Sequence, residues 1–171
     1  MTRRAWIRGA GALALAAGIG ASVWRLRRPD PDDASPLWAL QRPAPDGTMV
    51  SMAAWRGRPL LLNFWATWCS PCVREIPRLD RFAQAQASRG VTVLGLAVDE
   101  LEPVRRFLER QPVRYPVVMV GAAGVALSRE LGNRDGGLPF SVLVGRNGRV
   151  LRRRVGEIDE PELLAWAAAL D

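Results

Sequence analysis

The chain has no lysine and no histidine, so all 24 of its basic side chains are arginine. Cysteine is nearly absent too, with Cys69 and Cys72 the only two in 171 residues. These absences exclude a zinc site of the usual kind, because tetrahedral zinc takes four ligands and would have to recruit carboxylates here. No internal repeat or low-complexity tract interrupts the sequence. There is no basic stripe interleaved with aromatics, and nucleic acid is not an expected partner. Much of the net charge of +7 comes from Arg3, Arg4, Arg8, Arg25, Arg27 and Arg28, which flank one apolar stretch. The tightest remaining basic cluster, Arg152 to Arg154, reads as an edge strand protected by charge. Apolar residues make up 49% of the chain, enough for one domain with a proper core.

What is present begins with an uncharged run from Gly9 to Trp24. It is slightly short of the roughly 20 residues that a spanning helix needs, a shortfall that snorkelling Arg8 and Arg25 would cover. With Arg at both ends and no polar face, it does not fit a helix of the globular part. Residues 1–28 are therefore expected to be a membrane anchor or an export signal. The opening Thr2-Arg3-Arg4-Ala5-Trp6-Ile7-Arg8 resembles a twin-arginine signal. Residues 29–36, rich in Pro and acid, read as a linker, and residues 37–171 as the globular part.

Within that part, Pro59 to Ala66 is a continuous apolar run, the pattern of a strand buried on both faces. Val73, Ile76, Leu79 and Ala83 then recur at helical spacing, predicting a helix over Ser70 to Ser88 that Gly90 stops. Further strands are expected over Val91 to Val98 and Tyr115 to Val120, and helices over Leu101 to Arg110 and Ala122 to Leu131. Phe140 to Val144 and Arg149 to Val155 flank Asn147-Gly148, a dipeptide that prefers positive φ and predicts a tight hairpin. Asp159 as N-cap and Pro161 at the first helical position open a last helix, Glu160 to Leu170. Ahead of all these, Leu37 to Gln41 and Thr48 to Met52 form an expected N-terminal hairpin through Asp46-Gly47. The sum is an α/β sandwich on a mixed sheet.

The chemistry concentrates in Trp68-Cys69-Ser70-Pro71-Cys72, where both cysteines fall in the first turn of a helix that follows a buried strand. Free N–H groups and partial positive charge at that helix start stabilise a thiolate at Cys69 and lower its pKa. Pro71 loses no hydrogen bond in the first turn. Cys72, one turn along and more buried, is placed to resolve a mixed disulfide. Other uses of the pair remain open. A structural disulfide would restrain little chain across so short a loop. Two thiolates suffice for linear Cu(I) coordination, although no His or clustered Met accompanies them.

The string Asn63-Phe64-Trp65-Ala66-Thr67-Trp68-Cys69-Ser70-Pro71-Cys72-Val73-Arg74-Glu75-Ile76-Pro77 resembles the active-site segment of the thioredoxin superfamily, and more closely its TlpA/ResA-like branch. The resemblance runs from about Leu37 to the C-terminus and implies a thioredoxin-like sandwich with a central βα insertion. Gly137-Leu138-Pro139-Phe140 resembles the superfamily's cis-proline loop, which implies that Leu138 and Pro139 contact substrate beside Trp68, Ser70 and Pro71. Asn63 departs from cytosolic thioredoxins, which carry Asp there, and an amide cannot exchange a proton. The branch implies instead that Glu75 is the buried acid that takes the Cys72 proton.

The same resemblance implies a protein-disulfide reductase with Cys69 as nucleophile and Cys72 as resolving thiol. It implies no cofactor beyond their redox-active disulfide and no metal. Electrons would come from a membrane thiol donor and pass to apocytochrome c or a copper-delivery protein. Such a reductase has little purpose in an already reduced cytosol. The expected location is therefore the inner membrane, with the catalytic domain in the periplasm.

Overall fold

In the computed structural model, which describes residues 30 and 32–170, packed structure begins at Asp33. Asp33 forms an isolated antiparallel bridge with Arg149, and fully buried Ala34 donates its N–H to the Gly148 carbonyl. The stretch expected to be a linker up to Pro36 thus already packs on the domain. A short helix, α1 (Ser35–Trp38), replaces the strand expected from Leu37, and it buries Leu37 and Trp38. Pro36 has no N–H for a strand ladder but fits a first helical turn. The N-terminal hairpin follows slightly later than expected, with β1 (Gln41–Pro43) antiparallel to β2 (Met49–Ser51). The anchor or export signal expected over residues 1–28 lies outside the described residues. Among the described residues no helix is long and apolar enough to cross a membrane.

The main sheet grows from β3 (Leu60–Trp65), buried along its whole length as its apolar run requires. Its neighbours follow in sequence: α2 (Ser70–Gln86), β4 (Thr92–Ala97), α3 (Leu101–Arg110), β5 (Val117–Met119), α4 (Ala123–Glu130), β6 (Phe140–Val144), β7 (Val150–Val155) and α5 (Glu160–Ala168). Five strands lie in the order β5-β4-β3-β6-β7; β3, β4 and β5 are parallel, and β6 and β7 antiparallel. This is the expected mixed sheet of a thioredoxin-like α/β fold. α2 gives way at Ala87 to one 3-10 turn, Ala87–Arg89, and it is this turn that Gly90, at φ 72°, ends. The β6–β7 turn uses one positive-φ residue rather than two: Gly148 has φ 76°, and among the described residues no non-glycine residue has positive φ. A register shift between Leu143 and Val144 takes up the difference.

Alternation along β3 splits the interior into two layers. Leu61 and Trp65 join Ile76, Leu79 and Phe82 of α2, Val104 and Phe107 of α3, and Leu163 and Trp166 of α5. Leu60, Leu62 and Phe64 face the other way, toward Leu37 and Trp38 of α1, Met52 and Leu127 of α4. Among the described residues both layers are built from Ala34 onward, and residues 31–171 form one compact unit with its own core, the condition for folding independently.

Candidate functional site

β3 ends beneath a loop that is tied down before it reaches the cysteines. The Thr67 N–H and hydroxyl both donate to Asp99 Oδ2, at 2.7 and 2.6 Å, which joins the loop after β3 to the loop after β4. Cys69 is the N-cap of α2, with Pro71 in its first turn. The two cysteines form a disulfide with their Cα atoms 5.3 Å apart. The Cys72 N–H donates to Cys69 Sγ at 3.3 Å. In the reduced protein the same free helix N–H would stabilise a Cys69 thiolate. Cys69 is more enclosed than the sequence suggested, at 6% exposed, while Cys72 is buried as expected, at 0%, and the exposed neighbour is Trp68 at 68%. Ser70 is exposed and Pro71 half-buried.

Glu75 lies one turn beyond Cys72 on the inner side of α2, with no exposed surface. Its Oε1 accepts from Asn63 Nδ2 at 2.7 Å and its Oε2 from the Ile158 N–H at 2.9 Å. Asn63 Nδ2 also donates to Ser141 Oγ at 3.0 Å, while Asn63 Oδ1 is buried without a partner. Asn63 and Ser141 are register partners on β3 and β6, so the sheet itself sets this trio. Burial pushes the Glu75 carboxyl up to about 7 from an ordinary 4.5; the two donors and Arg78 oppose the rise, and Glu157 adds to it. Arg78 donates to the Ile158 carbonyl, so α2 grips both sides of that peptide segment.

The Leu138–Pro139 bond is cis. Pro139 is buried, and half-buried Leu138 packs against the hydrophobic cluster that includes Cys69 and Cys72. Fully buried Asn133 donates to the Gly137 carbonyl at 2.9 Å, and the Gly156 N–H donates to the Pro139 carbonyl at 2.8 Å. Sequence reasoning missed Thr67, Asp99, Asn133, Ser141 and the Ile158 N–H. Ser141 did carry a signal, as the polar residue in the otherwise apolar Phe140-Ser141-Val142-Leu143-Val144. Among the described residues no group of three or more Cys, Asp or Glu could hold a metal ion. The arrangement offers a nearly buried sulfur at a helix start, a fully enclosed second sulfur, and a buried carboxyl that can hold or release a proton near neutral pH.

Comparison with known proteins gives a consistent result. A family model described as Redoxin matches residues 30–166. The thiol-disulfide oxidoreductase ResA of a Bacillus cereus strain is 28% identical over 118 residues, covering 68% of this chain and 66% of that protein. The protein of the same name from Geobacillus thermodenitrificans is 31% identical over 116 residues, covering 64% of this chain and 61% of its own length. The chain thus spans less than two thirds of the length of these relatives. A thioredoxin family thiol:disulfide interchange protein from Chlorobium tepidum TLS superposes with a TM-score of 0.68 at 30% identity, covering 84% of this chain and 97% of that one.

Proposed function

This chain belongs to the Redoxin family, and from that premise we propose that it is an extracytoplasmic thiol–disulfide oxidoreductase that reduces disulfides in protein partners. The observation that carries the reading is the Cys69–Cys72 disulfide at the start of α2, with the buried carboxyl of Glu75 one turn further on. Starting from two thiols, the Cys69 thiolate attacks a substrate disulfide. A Cys69–substrate bond forms, the substrate S–S bond breaks, and one substrate sulfur leaves as a thiolate that takes up a proton. Glu75 then accepts the proton of Cys72, which attacks Cys69 Sγ and releases the second substrate thiol. Two electrons have passed to the substrate, and the pair ends as the disulfide. A carboxyl with a pKa near 7 can take that proton and return it when a thiol donor resets the pair.

In this reading exposed Trp68, with Ser70, Pro71, Leu138 and Pro139, forms the surface that substrate meets. Residues 1–28 hold the domain to the inner membrane with the site in the periplasm, where a membrane thiol carrier supplies electrons. Apocytochrome c or a copper-delivery protein is the substrate. The Gly9 to Trp24 run, the arginines around it and the twin-arginine-like start support this placement. The test is insulin reduction by the purified full chain with dithiothreitol as donor, alongside metal analysis of anaerobically purified protein. Catalysed precipitation of insulin chains is expected. Retained copper with no turnover would favour Cu(I) binding by the same two thiolates. Absence of both would leave a structural module. An alkaline phosphatase fusion after Ser35 is expected to be active in cells, and an inactive fusion would overturn the placement.

A further inference from the structure

The end of the domain opposite the disulfide carries a cavity of about 430 Å³. It opens where β3, β4 and β5 begin and β6 ends, about 20 Å along the sheet from the cysteine pair. Arg58, Arg114 and Arg146 line it, and none of the described residues lining it is acidic. All three arginines are exposed. Arg114 meets Asp80 at 3.0 Å, yet its side chain keeps 69% of its surface open. Arg146 also lines an adjoining cleft that contains Arg56 together with Asp33.

The same end receives the chain from its N-terminal side. The Val150 N–H donates to the Asp32 carbonyl and the Ala34 N–H to the Gly148 carbonyl, so Asp32, through which the preceding chain is connected, lies beside the β6–β7 turn. The basic cavity and the point of attachment therefore share one end, and the disulfide occupies the other.

We infer that this end is a docking surface for anionic lipid headgroups, whose phosphate oxygens are held by Arg58, Arg114 and Arg146. The inference rests on the reading that residues 1–28 hold the domain at a membrane. A guanidinium offers paired donors that match phosphate geometry. A surface of anionic lipid attracts every arginine brought within a Debye length of it. Headgroups held at this end leave the disulfide, at the other end of the same sheet, open to soluble partners. Acidic proteins share the charge, but only the lipid surface is brought to this end by the attachment itself.

The test uses the separate unit, residues 31–171, which lacks the apolar segment, so the result does not depend on the anchor. Co-sedimentation is measured with vesicles of neutral phosphatidylcholine and with vesicles containing phosphatidylglycerol. Binding is expected only to the second, weakening as salt rises. The double variant Arg58→Gln/Arg146→Gln, checked for fold by circular dichroism and for insulin reduction, is expected to lose roughly fivefold in affinity per arginine with activity intact. Equal binding to both vesicles, binding to neither, or an unaffected double variant would overturn the inference. So would a preference for free inorganic phosphate or polyglutamate over the vesicles. The anchor reading is judged separately, by whether the full chain stays with membranes after a carbonate wash.

Discussion

The two faces of β3 come from alternate residues of one six-residue strand and have different compositions. Leu60, Leu62 and Phe64 face an apolar layer, whereas Asn63 interrupts the other face between Leu61 and Trp65 to bond Glu75 and Ser141. One face supplies stability through area removed from water. The other gives up part of that burial, leaves the Asn63 carbonyl oxygen unpartnered, and holds a carboxyl near the thiols at a raised pKa. A buried carboxyl costs stability, so the hydrogen-bonded Asn63–Glu75 pair one helical turn from Cys72 marks that face as the chemical one.

The sharpest way to break this contrast is at the cysteines. Cys69→Ser is expected to abolish insulin reduction while leaving the denaturation midpoint of the reduced protein nearly unchanged. Cys72→Ser should accumulate mixed disulfides, and trapping by Cys69→Ser instead would reverse the two roles. On the apolar face, Phe64→Ala removes a fully buried ring that packs 5.7 Å from Phe140. It should cost about 3–5 kcal/mol in urea titrations, with little change in thiol chemistry of the protein that remains folded.

Glu75→Gln tests the polar face. Because the folded carboxyl titrates near 7 and the unfolded one near 4.5, the folded protein keeps a proton that the unfolded chain has lost across that window. Stability is therefore fullest below the lower value and falls as pH rises to the upper one, by roughly 3 kcal/mol. The variant should lack this fall, match or exceed the parent in stability at pH 8, and turn over more slowly with a flattened pH profile. An unchanged profile would remove Glu75 from the chemistry. The smallest effect is expected far from both faces: Asp159, the N-cap of α5, accepts from the Glu162 N–H at 2.8 Å. Asp159→Ala should cost about 1 kcal/mol and leave turnover alone.

Sequence made the strands and helices around the site legible because periodicity alone sets them. The α3 and β6 boundaries coincide with expectation, and β3 and α2 agree to within a few residues. Leu37 and Trp38 were misassigned to a strand because two adjacent apolar residues have no period, and their burial comes from distant partners. The cysteine pair was visible as a local string. The bonds of Glu75 were not, since one partner stands 12 residues before it and another 83 after it. Finding Ser141 beside Asn63 requires the β3–β6 register, and finding the Ile158 N–H requires the path of the loop between β7 and α5.

The central claim, that Cys69 alone is the poised nucleophile and Cys72 is held back as the resolving thiol, is tested most directly by timed iodoacetamide labelling of the reduced full chain across pH, with each cysteine quantified by peptide mass spectrometry. The account predicts fast labelling of Cys69 with a midpoint below the ordinary thiol value of about 8.5, and labelling of Cys72 only on unfolding. Equal rates at the two cysteines, or a faster Cys72, would contradict it.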